Sequence, residues 1–405
     1  MIELKPIYKP LFTTDKRYII LTGGRNCGKS FGVKTWEPLL TYEEGHRILS
    51  TRYTLTSAKD SIIPETTSKL ELLGVSDHFY ENQSGVQNLI TGSEILFRGI
   101  KTSSGSQTAK LKSLHNISTW VLDEAEELVD EDEFDTIDLS IRASKVQNRV
   151  VIILNPTTTE HWIWKRWFEG YTKMIEIDGF QIPVSTHPDV CHIHTTYHDN
   201  IENIPESFLK IIERMKKENP EKYKHKILGG WLDKAEGVVF PHWIEEEFDV
   251  SLPYIFGMDF GVVDPTTLVK VAVDSKRKKI YLQELFYESG MRPSLISEML
   301  RATVGEEDLI VADSAERLTI NEMIYEGFNM QKAIKGPDSV KQGIRLMKDY
   351  TLCVDPDSQN LKKELNNYVW AEKKSETPVD DYNHLIDPIR YCLQVLIKQD
   401  QAFVI

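Results

Sequence analysis

Gly23-Gly24-Arg25-Asn26-Cys27-Gly28-Lys29-Ser30 stands directly after the apolar run Tyr18–Thr22 and opens a helix-like stretch near 29–41. Glycines at these spacings let backbone N–H groups curl around phosphate oxygens. A helix N-terminus adds positive potential, a lysine ammonium pairs with β/γ oxygens, and the serine hydroxyl can ligate Mg²⁺. The octet therefore reads as a site for ATP with Mg²⁺, against the bland alternative of a glycine turn before a helix. Trp120-Val121-Leu122-Asp123-Glu124 is an apolar strand ending in two acids. Asp123 suits Mg²⁺ through water and Glu124 suits a general base for the attacking water. Alone, these acids equally well begin a solvated charged helix. A third apolar run, 149–154, ends in Asn155-Pro156. Asn155 would face the same crevice as a γ-phosphate sensor, an Asx-Pro turn being the equal alternative. Arg25, and more distantly Arg98 and Arg142, are candidates for stabilising transition-state charge.

A second set of acids lies beyond residue 250. Asp259 sits in the strand-like Tyr254–Gly261 and Asp313 ends the strand-like Asp308–Asp313. Asp387 follows His384 at i, i+3, which on a helix would place both on one face. Acids in apolar strands are costly to bury unless paired or metal-bound. Each taken singly reads as a turn cap. Together they point to two divalent metals, Mg²⁺ or Mn²⁺, and in-line phosphodiester hydrolysis. Asp264 and Glu316 are accessory candidates. His187, Cys191, His192, His194 and His198 crowd together without a zinc-type spacing, and we read them as a strand leading into a loop.

These residues need two α/β scaffolds. Apolar runs at 18–22, 47–51, 94–98, 119–122 and 149–154 alternate with helix-like stretches at 29–41, 57–73 and 129–143, the pattern of a largely parallel sheet. A helical pair at 205–228 follows. The Gly- and Trp-containing stretch 229–243 and the acids Glu245-Glu246-Glu247 place a linker at 236–250, between domain 1–235 and domain 251–405. From 254 three consecutive strands suggest an antiparallel meander, completed by helix, strand and long helices at 357–371 and 384–398.

The 405 residues carry 48 Lys plus Arg against 62 Asp plus Glu, a net charge of −14 that gives no basic footprint for nucleic acid. Ten acids and no base fall within 123–138, however, so the remainder is nearly balanced. Basic stretches remain at 214–226, at 276–279, at Lys362-Lys363 and at Lys373-Lys374. Four scattered cysteines suggest neither disulfides nor a thiolate zinc site. No apolar run is long enough to span a bilayer and no secretory leader is seen, so no membrane association is expected.

The order of parts resembles the large terminase subunit of tailed bacteriophages. Arg98-Gly99-Ile100 with Lys112-Ser113, Thr196–Asn200, Gly229-Gly230-Trp231, Gly237–Phe240, Asp313–Glu316 and Lys335–Val340 extend the likeness over nearly the whole chain. The resemblance implies an N-terminal RecA-like P-loop ATPase and a C-terminal RNase H-like nuclease with a mixed sheet. ATP hydrolysis would drive double-stranded viral DNA into the procapsid, and the nuclease would cut concatemers. It also implies that Arg25 assists hydrolysis in cis, that Asp123 and Glu124 are the Walker B pair, and that Asn155 is the coupling residue. Asp259, Asp313 and Asp387 become the metal triad, with His384 beside them, and Arg142 a candidate arginine acting in trans. The implied partners are DNA, a small terminase subunit and the capsid portal. The chain would form a homo-oligomeric ring during packaging, a monomer being the alternative in solution. It would work in the host cell cytoplasm, transiently docked on the procapsid and absent from the mature virion. Cys27 departs from the usual small residue, and no adenine-contacting glutamine precedes the loop, so the adenine contacts stay open, with Tyr8 and Arg17 as candidates. Two competitors are a helicase–nuclease of repair or defence, for which no second RecA-like domain has room, and a nucleotide-gated assembly protein with structural carboxylates.

Overall fold

A computed structural model of the chain describes residues 4–54, 62–82, 84–102, 105–106, 114–235, 237–261, 264–336, 338–371 and 374–402. Lys112, Ser113, Pro337, Lys373 and the start of the expected helix at 57–73 lie outside these residues. The chain divides into two compact units, Met1–Asp233 and Lys234–Ile405.

The strands of the first unit are β1 (Tyr18–Gly23), β2 (Arg47–Thr54), β3 (Phe79–Asn82), β4 (Gly85–Asn88), β5 (Glu94–Thr102), β6 (Gly105–Ser106), β7 (Thr119–Asp123), β8 (Arg149–Leu154), β9 (Thr172–Ile177), β10 (Phe180–Ser185) and β11 (Val190–Thr195). Nine of them form one sheet in the order β11-β1-β8-β7-β2-β5-β4-β3, with β6 on β5. From β11 to β5 every pairing is parallel. Alternate side chains of the apolar runs serve opposite faces. Ile20, Trp120, Leu122 and Ile152 pack with Phe134, Trp162 and Trp167 on one side. Ile19, Leu21, Val121 and Val151 pack with Val33, Trp36 and Leu40 of the helix Lys29–Leu40 on the other. Burial on both faces is why these strands read as unbroken hydrophobic runs. The expected helix at 129–143 is shorter, Glu131–Asp138, and Asp130 caps it by accepting from the N–H groups of Asp132 and Glu133. The hairpins β3–β4 and β9–β10 lie outside the expected strands.

The second unit contains β12 (Trp243–Glu245), β13 (Tyr254–Asp259), β14 (Pro265–Asp274), β15 (Lys279–Ser289), β16 (Ile310–Ala312), β17 (Met330–Lys332), β18 (Thr351–Val354), β19 (Trp370–Ala371) and β20 (Lys374–Pro378). Its main sheet runs β12-β18-β15-β14-β13-β16-β17. β13, β14 and β15 form the antiparallel meander, while β16 and β18 join parallel on either side. Helix Ile386–Ala402 covers one face through Ile386, Ile389 and Leu393. It approaches so closely that a Cβ on Gly257 would stand 2.6 Å from the Pro388 carbonyl oxygen, which only glycine avoids.

The segment read as a linker is structural. β12 pairs with β18, and Val239 and Phe240 are 0% and 2% exposed in the same core as Ile389. Burying those two side chains contributes about 1.5–3 kcal/mol each. A fragment 234–405 is therefore expected to melt cooperatively, and a fragment 251–405 to melt several degrees lower or to aggregate. Equal melting temperatures by circular dichroism would remove 236–250 from the folding unit.

Candidate functional site

In the first unit, register brings the candidates together. Thr22 lies opposite Leu154 and Asp123 opposite Ile153. The loop after β1, the acids ending β7 and the asparagine after β8 thus emerge at one sheet edge. Gly28, at φ 86°, turns the chain into the helix Lys29–Leu40. The Lys29 ammonium is buried and donates to Asn155 Oδ1 at 2.7 Å and to the carbonyls of Gly23 and Gly24 at 3.2 and 3.4 Å. Asn155 in turn donates its Nδ2 to Glu126 Oε1 at 2.7 Å and its backbone N–H to Oε2 at 3.2 Å. Asn155 therefore links the P-loop lysine to a third acid. Burial pushes the Glu126 carboxyl above its ordinary range, against its bonds to Asn155 and the charge of Lys29.

Arg52, at the tip of β2, reaches the acids of β7. Its Nε lies 3.5 Å from Asp123 Oδ2 and its Nη2 2.5 Å from Glu124 Oε1. Glu124 sits at φ 53°, a strained backbone for a non-glycine residue and a common mark of functional positions. Burial raises its carboxyl, with the charges of Asp123 and Glu127 adding and Arg52 opposing. A cavity of about 370 Å³ opens between residues 24–31, Asp123, Glu124, Glu126, Asn155 and Asn200. Arg25 is exposed and lines it.

Across the loop lies a second cavity of about 410 Å³, lined by Tyr8, Phe31, Asn200 and Asn203 among others. Tyr8 is buried and donates its hydroxyl to the Cys27 carbonyl at 3.5 Å. Arg17 is engaged elsewhere, 2.5 Å from the Asp138 carboxylate. Arg98 donates to the carbonyls of Ser84 and Phe97, and Arg142 is exposed beyond Ile141. Neither lines the cavity beside the glycine loop.

The histidine cluster is structural. His192 Nε2 and His194 Nδ1 each lie 2.8 Å from the Thr22 hydroxyl, and His194 Nε2 meets the Leu228 carbonyl at 2.9 Å. Burial pushes the two imidazoles down to about 3 and about 4, so both are neutral at pH 7.

In the second unit, Met258 opposite Ala312 sets Asp259 beside Asp313, and the Asp313 N–H donates to the Met258 carbonyl at 3.2 Å. His384 Nδ1 lies 3.6 Å from Asp259 Oδ2. Burial raises the Asp259 carboxyl, the charges of Asp313 and Asp387 add to this, and His384 opposes. The imidazole of His384 is raised in turn, first by its bond to Asp259. The expected shared helical face for His384 and Asp387 is not found. His384 precedes the helix, which begins at Ile386, and its carbonyl accepts from the Thr267 hydroxyl at 2.6 Å. Asp387 instead pairs with the buried Arg390 one turn on. Glu364, 1% exposed, accepts the N–H groups of Leu385 and Ile386 at 2.9 and 3.1 Å and so closes the helix N-terminus. Burial pushes its carboxyl up to about 7. Asp313 accepts from Lys335 and, at 3.4 Å, from the Tyr391 hydroxyl.

The oxygen donors suit a hard divalent cation. Their arrangement does not enclose one. Among the described residues no three His, Cys, Asp or Glu side chains come together as a metal cage; Lys335 pairs with Asp313 and Arg390 with Asp387. Asp264 and Glu316 are exposed. Sequence reasoning missed Arg52, Glu126, Arg390 and Glu364, and gave Lys335 a place in a motif but no role.

Residues 15–230 match the family model described as phage terminase large subunit, and residues 259–395 match the terminase RNase H-like domain. The PBSX phage terminase large subunit of Bacillus subtilis (strain 168) is 27% identical over 402 residues, covering 95% of this chain and 91% of the relative. The terminase large subunit of Bacillus phage SPP1 is 25% identical over 408 residues, covering 94% and 92%. The large terminase of a thermophilic bacteriophage is structurally similar, with a TM-score of 0.47, 17% identity and coverage of 98% and 100%. With one family model spanning more than half the sequence and a second spanning the carboxylate unit, the chain belongs to the phage terminase large subunit family.

Proposed function

We propose that the first unit hydrolyses ATP to drive double-stranded DNA into a procapsid and that the second cuts that DNA. Support comes from the register that sets the P-loop, Asp123-Glu124 and Asn155 at one edge of a parallel sheet. On nucleotide arrival Lys29 exchanges Asn155 Oδ1 for β/γ oxygens, and Ser30 and Asp123 would hold Mg²⁺, which neutralises phosphate charge. Glu124 orients the attacking water, its raised carboxyl favouring proton uptake. Arg25, at the cavity mouth, stabilises the developing charge, and Asn155 carries the change to Glu126. The base sits in the neighbouring cavity by Tyr8 and Phe31 rather than near Arg17. Arg142, exposed and outside this site, suits a role across a ring interface.

In the second unit Asp259, Asp313 and Asp387 are the residues that would hold a pair of divalent ions, Mg²⁺ or Mn²⁺, once drawn together; such ions would activate water and polarise the phosphodiester. His384 orients Asp259. DNA, a small subunit and the portal are the partners, in the host cytoplasm; no helix among the described residues is long and apolar enough to cross a membrane. The full chain is expected to release phosphate from ATP faster with duplex DNA, and to linearise plasmid only with Mg²⁺ or Mn²⁺. ATP binding without DNA-stimulated turnover, together with no cleavage, would instead favour a nucleotide-gated assembly protein.

A further inference from the structure

The three acids of the second unit are unequally held. Arg390 is 2% exposed and pairs with Asp387 within one helical turn, an arrangement that is locked by packing. Lys335 is different. It reaches Asp313 from the loop after β17, with its side chain 44% exposed, and its ammonium lies 2.6 Å from Oδ1 and 2.7 Å from Oδ2. Both oxygens of the acid that stands beside Asp259 are thus engaged by one solvent-reachable cation. The ring of Tyr391 lies 5.6 Å from the same ammonium and adds a weak attraction. The loop is anchored where Ala333 N–H donates to the Ala312 carbonyl, one residue before Asp313, so the lysine stem has a fixed root and a movable head.

We propose that Lys335 is the internal counter-ion of the nuclease site and becomes its phosphate contact when DNA is cut. This rests on the nuclease assignment above. An ammonium on both oxygens takes up part of the carboxylate's lone pairs and charge, and it repels a second cation at that distance. An ion held between Asp313 and Asp259 therefore favours the ammonium leaving Asp313. Once displaced it is an exposed cation on a flexible stem at the lip of the acids. The anion that a nuclease substrate brings there is a backbone phosphate. Metal and DNA then favour each other's binding, and metal alone is held weakly. Buried Arg390 has no such freedom and stays with Asp387.

The test uses the full chain and its Lys335→Ala, Lys335→Met and Lys335→Arg variants, with folding checked by thermal melting. Mn²⁺ binding is measured by calorimetry without DNA, and plasmid cleavage is measured with Mn²⁺. Losing the counter-ion is expected to tighten Mn²⁺ binding about tenfold and to slow cleavage about tenfold or more. Lys335→Arg should stay nearer the parent in both. Opposite movement of binding and cleavage is not produced by a residue that only supports the fold, and Lys335→Met keeps the stem should the alanine variant unfold. If the parent binds Mn²⁺ and cuts, but the uncharged variants bind no tighter or cut as fast, the counter-ion role is wrong and the nuclease assignment survives. If the parent neither binds Mn²⁺ nor cuts, the nuclease assignment fails and the counter-ion role fails with it.

Discussion

Lys29→Ala abolishes ATP turnover and leaves metal-dependent plasmid cleavage at the parent rate. The ammonium is buried at the base of the phosphate cavity, with Asn155 Oδ1 at 2.7 Å as its short contact. A fixed cation in a water-poor site acts on developing phosphate charge without reorganising, and deleting one such donor slows turnover by about 10²–10³-fold. Alanine also leaves Asn155 Oδ1 without that donor, costing about 1–3 kcal/mol if no water replaces it. Phosphate release and plasmid nicking measured on one preparation decide the matter. Turnover above about a tenth of the parent rate would mean that Lys29 does not meet the phosphates. Loss of both activities would mean that the two chemistries are not separable.

Asp313→Ala has the converse effect, eliminating cleavage while ATP turnover persists. Asp313 is the acid on which the site is organised: strand register places it beside Asp259, and it also engages Lys335 and Tyr391. Ions that polarise a phosphodiester supply several kcal/mol of transition-state stabilisation, and each 1.36 kcal/mol is tenfold in rate. A drop of at least about a thousandfold is therefore expected with Mg²⁺ or Mn²⁺. Parent-like cutting by the variant would return the three acids to a structural role.

The phosphate site was readable because its physics is local. Strand, glycine turn, lysine and helix follow one another in eight residues, and no distant partner is needed to recognise them. Asp259 and Asp313 were readable because each stands at the end of an apolar strand. The remainder depends on register and ion pairing. Arg52 meets the acids of β7 only because Thr51 lies opposite Leu122, and Glu126 is hidden in a run of ten acids whose members look alike in sequence. Lys335 lies 22 residues from Asp313. Glu364 closes a helix to which it does not belong. The segment 236–250 misled for a compositional reason: glycine and tryptophan suggest a connector, yet Val239 and Phe240 face a core and Trp243–Glu245 pairs as a strand.

The phosphate loop is also walled in. The Arg25 N–H donates to the Lys226 carbonyl at 2.9 Å, and a Cβ on Gly24 would stand 2.0 Å from the Ile227 carbonyl oxygen. Backbone there rests on backbone, and protein interiors compress very little. These contacts tie the loop to the turn at 226–229, which follows the helices Glu206–Glu218 and Pro220–Lys226 that carry the basic stretch at 214–226. The loop and the turn that ends the basic helices meet backbone to backbone, a stiff junction rather than a cushioned one.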